Sequence, residues 1–435
     1  MLEVPLDRTS QVPLHRQLSG HLRRLILSGA LPPGERLPSY RQMAQGLSVS
    51  RSTVEEAYCE LEAEGLLCLS PRRGVFVAPL SRSSPQRRGC EEVLDLGSDE
   101  PMGELVLRHP MGRAVRWALG DQAPSDGDVA GLWGLRASLS RYSARRGIAS
   151  REGDVVVTSG GREGLSLCLW ALKEAGVRRL WVERLTYPYA FVQAGLLGLH
   201  VVPFARVEDL AGAGVEDGVY LVPSFHNPTG RTMKAPERRA VLEMSHRQGF
   251  KVLEDDTYGE LRYGPESVPA LKAMEGSDQV LYVGSLSKGL FLPMKLGYLV
   301  CPGWAAEAVL RVKEPLFGPA PLLSQRIALG LMDSWEVEPI LEANRGAVRC
   351  RMEALCSPLG IQMPEGGIFA WLDLSVDGDE FAREALRLGL RVSPGSRFSP
   401  RGERVMGVRL SVLSAPPEEL RRAAGELRGL VERLS

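Results

Sequence analysis

The stretch Val280-Leu281-Tyr282-Val283-Gly284-Ser285-Leu286-Ser287-Lys288 decides how this chain reads. Its apolar run predicts a buried strand, and the polar turn behind it lies where α/β proteins place reactive groups. Lysine is scarce, with seven among 53 basic residues. In a chain that meets its solvated charge with arginine, a lysine beside two hydroxyls at a strand end points to a need for an amine. An amine forms a Schiff base and a guanidinium does not. The plainer reading, a surface lysine in a serine-rich turn, is set aside only by its neighbours.

Working outward, β-rich runs recur at Val155–Thr158, Leu180–Glu183, Val201–Phe204, Val219–Val222, Lys251–Glu254 and Val280–Val283, with helical periodicity between them. That alternation predicts an α/β domain with a largely parallel sheet. Four of the strand ends carry chemistry. Thr158-Ser159-Gly160-Gly161-Arg162 opens a helix whose backbone N–H groups can cradle a phosphate. Glu183-Arg184-Leu185-Thr186-Tyr187-Pro188 offers an aromatic ring for stacking, Asn227-Pro228-Thr229-Gly230 presents an amide, and Glu254-Asp255-Asp256 crowds three carboxylates that require positive charge nearby.

With these motifs in order, residues 93–435 resemble the fold-type-I aminotransferases that use pyridoxal 5′-phosphate (PLP). GGIFAWLDL (366–374), VSPGSRF (392–398) and Arg409-Leu410-Ser411 belong to the same resemblance. It implies that Lys288 holds PLP as a Schiff base, that Asp255 pairs with the pyridine nitrogen, and that Tyr258 and Asn227 hydrogen-bond the phenolic oxygen. Tyr187 then stacks on the ring. Gly160, Gly161, Arg162, Ser285, Ser287 and Lys295 hold the phosphate, and Arg409 clamps a substrate carboxylate. Two departures stand out. Lys295 occupies a position where the family usually has arginine, and Asp126-Gly127-Asp128 stands where it often has a tyrosine. A smaller C-terminal α+β part is expected from about residue 321.

The first ninety residues form a separate module, with 12 Arg and no Lys against 8 acidic residues. Pro13–Ser28 has a helical stripe, Leu31–Pro38 is too rich in proline and glycine for regular structure, and Ser39 and Ser50 can cap two short helices joined at Ser48-Val49. Leu66–Val77 reads as a hairpin around Pro71-Arg72-Arg73-Gly74. LPSYRQMA, VSRSTVEEAYCELEAEGLL and RRGVFV make residues 11–78 similar to the GntR-type winged helix-turn-helix regulators. The resemblance implies that Ser50, Arg51, Ser52 and Thr53 present a recognition helix to double-stranded DNA, with Ser39, Arg41, Arg72 and Arg73 in support. Residues 79–92, rich in Pro, Ser and Arg, read as a linker.

A winged helix-turn-helix at residues 1–78 ahead of an aminotransferase-like domain resembles the MocR branch of the GntR regulators. The implied protein is a homodimer whose large domain senses PLP, or an amino compound, through external aldimine formation. A working aminotransferase with an appended DNA-binding module is the competing reading. A dead dimerisation scaffold is a third. The zero net charge advertises no polyanion partner for the whole chain, the seven scattered cysteines fit reduced thiols in a cytoplasmic protein without a metal site, and no apolar run approaches a membrane span.

Overall fold

Ser39 does what its position predicts. Its hydroxyl accepts from the Gln42 N–H at 3.4 Å while the Gln42 side chain accepts from the Ser39 N–H at 3.0 Å, a capping box that starts α2 (Tyr40–Leu47). Ser48 turns left-handed at φ 51°, and Ser50 caps α3 (Arg51–Ala63) by accepting from the Thr53 N–H at 3.1 Å. With α1 (Leu14–Leu27) these are the three helices expected. β2 (Leu67–Ser70) and β3 (Gly74–Val77) pair antiparallel as the wing. One expectation fails. Within the supposed irregular connector, Arg36–Leu37 forms a strand, β1, on β3. Gly34, at φ 84°, turns the chain so that its N–H reaches Val77 O at 2.9 Å and Glu35 O accepts from the Val77 N–H at 2.8 Å.

The computed structural model describes residues 6–8, 10, 13–27, 31, 34–63, 66–70, 74–77, 93–100, 108–120, 127–265, 268–275, 278–290, 294–333 and 337–434. The linker at 79–92 and the wing-tip Arg72 and Arg73 lie outside the described residues. The chain divides into two compact units, Met1–Cys90 and Glu91–Ser435.

Val54, Ala57, Tyr58 and Leu61, spaced along one face of α3, are fully buried against Leu18, Leu22 and Ile26 of α1. The Tyr58 hydroxyl donates to Pro38 O at 3.0 Å. Truncating a buried aromatic costs about 3–5 kcal/mol, a large share of what so small a unit has. Tyr58→Ala is therefore expected to unfold the N-terminal unit and abolish DNA binding in a gel-shift assay. The large unit's thermal transition should stay within a few degrees of its original position.

In the large unit, β4 (Leu94–Asp95) leads to α4 (Arg108–Ala118) and α5 (Trp133–Ser143). Then come β5 (Val155–Thr158), α6 (Gly161–Glu174), β6 (Arg179–Glu183), α7 (Pro188–Leu196), β7 (His200–Phe204), β8 (Asp217–Leu221), α8 (Ala235–Gln248), β9 (Lys251–Asp255), α9 (Leu271–Met274), β10 (Val280–Ser285), α10 (Leu286–Gly289) and β11 (Gly297–Val300). The sheet order is β5-β11-β10-β9-β8-β6-β7. All six expected strands are present and mutually codirectional. The seventh, β11, was not read from the sequence, and it runs antiparallel between β5 and β10. The sheet is thus mixed, and the carboxyl ends of six strands open on one edge.

The C-terminal part follows α11 (Gly303–Leu316) and α12 (Leu322–Asp333). It contains α13 (Val337–Leu359), β12 (Phe369–Asp373), α14 (Gly378–Arg387), β13 (Leu390–Arg391), β14 (Ser393–Pro394), β15 (Gly407–Ser411) and α15 (Pro417–Leu434). The expected division near residue 320 shifts in two places. Ile327, Ala328, Leu329 and Leu331 of α12 pack in the same core as Leu132 and Leu135, with the large part. Conversely, Leu94 and Asp95 pair with Leu390 and Arg391, and Leu96 is buried in the C-terminal core. Neither shift has a local signal, because each depends on which core a short apolar run meets.

Candidate functional site

Three consecutive residues at the end of β9, Glu254, Asp255 and Asp256, are buried carboxylates. Two have cationic partners. Glu254 lies 3.9 Å from Arg238 and accepts from the backbone N–H groups of Leu271 and Lys272 at 2.7 and 2.8 Å. Asp256 receives Arg146 through Nε at 2.6 Å and Nη2 at 3.3 Å, with the Tyr282 hydroxyl at 3.1 Å. Asp255 differs. It accepts from the Tyr220 hydroxyl at 2.8 Å and from the Thr257 N–H and hydroxyl at 3.1 and 2.5 Å, and among the described residues no salt bridge reaches it. Burial pushes its carboxyl above the usual range against those hydrogen bonds. Of the three acids, Asp255 is the one whose environment calls for a cation from outside the protein.

Lys288 sits in α10, one turn long, capped by Ser285, whose hydroxyl accepts from the Lys288 N–H at 3.3 Å. Its Nζ donates to Asp99 Oδ2 at 2.8 Å and to Asp99 O at 2.6 Å. The Ser287 hydroxyl is held by the backbone of Leu296, accepting from its N–H at 2.8 Å and donating to its carbonyl at 3.2 Å. That clamp ties Ser287 to Leu296, next to Lys295. Lys295 is exposed, at φ 49°, and a side chain at Gly160 would sit 3.5 Å from the Lys295 carbonyl. At Gly161 it would meet the Thr257 hydroxyl at 3.6 Å. The loops after β5, β9 and β10 therefore converge.

The start of α6 offers free N–H groups, with Gly160 at φ 98°. Glu163 in its first turn does not confront an incoming anion: its Oε2 accepts from the Ser159 N–H at 2.9 Å, and the fully buried Lys313 neutralises it through Oε1 at 2.5 Å. Arg162 Nε donates to the Tyr187 hydroxyl at 3.4 Å, and its guanidinium lies over Tyr189, 4.1 Å from the centroid. Burial raises the Tyr187 phenol to about 12 despite Arg162. Tyr258 is buried, edge-on to Phe369 at 5.4 Å. Of the aspartates that depart from the family pattern, Asp126 lies outside the described residues, and Asp128 stands 3.6 Å from Arg136.

Arg409, on β15, is 7% exposed. Its guanidinium stacks on Phe369 and Phe398, with centroids at 4.0 and 4.9 Å. Nη1 donates to Asn227 Oδ1 at 2.8 Å and Nη2 to Gly97 O at 2.7 Å, while the buried Nε has no hydrogen-bond partner. Burial brings its pKa down to about 10. Because arginine only donates, it fixes the Asn227 amide with oxygen toward Arg409 and leaves the NH2 as a donor. The structure thus brings Gly160, Arg162 and Tyr187 to one edge of the sheet with Asn227, Asp255, Tyr258, Ser285, Lys288 and Lys295. Sequence reading missed Tyr220, Thr257 and Phe398, and it missed Gly97 and Asp99, whose only signal was an acidic run with no periodicity.

In the N-terminal unit, Ser39, Arg41, Ser50, Arg51 and Ser52 are exposed and Thr53 is half-buried. The Ser50 hydroxyl lies 2.8 Å from that of Ser52 and 2.7 Å from that of Thr53, which gathers three hydroxyls at the start of α3. Arg51 lies 4.0 Å from Glu55, and both are solvated.

The fold is that of a fold-type-I aminotransferase-like domain joined to a helix-turn-helix module. Residues 116–427 match the family of aminotransferases class I and II, and residues 14–77 match the gntR family of bacterial regulatory proteins. The chain belongs to the aminotransferase class I and II family and, with its gntR-type module, is a MocR-family transcriptional regulator. It is 29% identical to the HTH-type transcriptional regulator TauR of Rhodobacter capsulatus, over 96% of this chain and 97% of TauR. It is also 29% identical to the probable rhizopine catabolism regulatory protein MocR of Rhizobium meliloti, over 71% of this chain and 69% of that protein. Among solved structures, the kynurenine aminotransferase of Pyrococcus horikoshii superposes with a TM-score of 0.72 at 22% identity, covering 79% of this chain and 92% of the enzyme.

Proposed function

We propose that this regulator binds double-stranded DNA through α3 and carries PLP on Lys288, and that an amino compound changes its affinity for DNA. The observation that carries the reading is the charge pattern of the site: among the described residues the buried Asp255 has no ion pair and the buried Arg409 Nε has no acceptor, alongside the strand-end Lys288. PLP, when bound, supplies an aldehyde carbon for amines and an electron-withdrawing ring. The residues fit that group. Asp255 would hold the ring nitrogen charged, and the Asn227 NH2 and Tyr258 would reach the phenolic oxygen. Tyr187 would cover the ring face. Gly160, Gly161, Arg162, Ser285 and Lys295 would hold the phosphate, joined by Ser287 once its clamp on Leu296 opens. Arg409 would take the carboxylate of an amino compound through its unpartnered Nε.

A ligand that binds the DNA-competent and DNA-incompetent states unequally shifts DNA affinity, and DNA shifts the ligand's affinity by the same factor. The test is DNA affinity of the purified protein with and without PLP, and with PLP plus a panel of amines. Identical affinities throughout count against the reading. Homodimer formation is supported by the exposed Trp117, Leu119 and Trp133 at the ends of α4 and α5, and sedimentation tests it. A cytoplasmic location agrees with a DNA partner and with the free cysteines Cys59, Cys168, Cys301, Cys350 and Cys356. Among the described residues no helix is long and apolar enough to cross a membrane.

The assembled set of Lys288, Asp255, Asn227 and Arg409 also supports a second reading, an aminotransferase that turns over. Steady-state assay with amino acids and 2-oxoglutarate separates the two.

A further inference from the structure

Residues 94–100 reach the site from the opposite end of the large unit's sequence, and they are firmly anchored. Leu94 and Asp95 pair with β13, Leu96 O accepts from the Ser411 N–H at 2.7 Å, and Asp95 Oδ1 accepts from the Gly97 N–H at 2.9 Å. A side chain at Gly97 would fall 2.9 Å from the Ser393 hydroxyl, so the strand passes close to β14. From this anchor two acceptors project onto the two cations that a ligand needs. Gly97 O takes Arg409 Nη2, and Asp99 takes the Lys288 ammonium twice, with carboxylate and carbonyl. Burial pushes the Asp99 carboxyl up, but Lys288 and then Arg409 outweigh it and hold it below the usual range. Asp99 is therefore a resident anion beside the amine.

We propose that Asp99 is a specificity-determining latch, a built-in carboxylate that holds Lys288 and screens Arg409 until a ligand displaces it. The inference rests on the PLP reading above. Its consequence concerns ligand charge. An amino acid brings a second carboxylate to a region that already holds one, so Asp99 repels it. An amine of similar size without a carboxylate escapes that repulsion. The site as built therefore discriminates against short α-amino acids in favour of amines whose carboxylate is distant or absent. The cofactor, itself anionic, must also break the contact between Asp99 and Lys288.

The test uses the full-length protein and Asp99→Asn, which keeps shape and removes charge. Glu100→Gln, at an exposed neighbour, controls for the change in net charge. PLP affinity is read from its visible absorbance band, and the loaded proteins are titrated spectroscopically with L-alanine and with ethylamine. Asp99→Asn is expected to tighten PLP and L-alanine by about ten-fold each, the scale of one partly buried charge interaction, and to leave ethylamine unchanged or weaker. Glu100→Gln should match the natural protein. An unchanged ratio of L-alanine to ethylamine affinity in Asp99→Asn overturns the latch while leaving the PLP reading intact. A natural protein that shows no PLP band defeats both.

Discussion

Arg146→Ala is expected to cost the large unit about 3–5 kcal/mol, the penalty for stripping the partner from a buried charge. Arg146 is two-pronged on Asp256, at 2.6 and 3.3 Å, and the two side chains are 2% and 0% exposed. Its Nη2 also donates to the Ser224 hydroxyl at 3.0 Å and to Val268 O at 3.3 Å. Ser224 in turn accepts from Arg238, the partner of Glu254. Removing Arg146 leaves Asp256 beside two further carboxylates with, among the described residues, only the Tyr282 hydroxyl as a side-chain donor. Urea unfolding followed by tryptophan fluorescence should show the midpoint of the large unit falling well below that of the natural protein. The decisive comparison is Arg146→Ala with Asp256→Asn. Neutralising the orphaned acid should restore part of the loss, because the penalty lies in the unpaired charge and not in the missing contact area. A double variant no more stable than Arg146→Ala would put the cost in packing instead.

Much of this fold is written locally. Five of the six codirectional strands are short apolar runs that end in a motif, and each motif stays at its strand end in three dimensions, so Gly160, Tyr187, Asn227, Asp255 and Lys288 could be placed on one edge before any coordinates. Ser39 and Ser50 are likewise short-range signals, since a cap and its helix lie within four residues. What could not be read depends on contacts across the chain. Asp99 meets Lys288 over 189 residues of sequence. Arg146 is one arginine among many, and nothing in Ser143-Ala144-Arg145-Arg146 marks which one turns inward. The strand Gly297–Val300 carries the same apolar signature as its neighbours, but only its pairing with β5 and β10 reveals that it runs the other way. The crowded acids at 254–256 did predict nearby positive charge. Structure divides that charge unevenly, with two arginines for the outer pair and neutral donors for the middle one.

That uneven division makes Asp255, together with Lys288, the place where substitution should be felt most in ligand binding. Lys288→Ala removes the amine proposed to bond covalently to the PLP aldehyde, so the Schiff-base absorbance band of the PLP-bound protein should vanish. Fluorescence titration should then show PLP held by non-covalent contacts alone. Asp255→Asn is more diagnostic, because the lysine stays. The asparagine can still accept from Tyr220 and Thr257, so the fold should survive and the melting temperature should move by only a few degrees. A charge-assisted hydrogen bond to the ring nitrogen is worth about 1.5–3 kcal/mol, which corresponds to a PLP affinity lower by roughly ten- to a hundred-fold. Protonation of that nitrogen, reported by the position of the absorbance band, should be lost in the same variant. An Asp255→Asn protein that binds PLP as tightly as the natural chain, with the same spectrum, would mean that this acid does not face the cofactor ring.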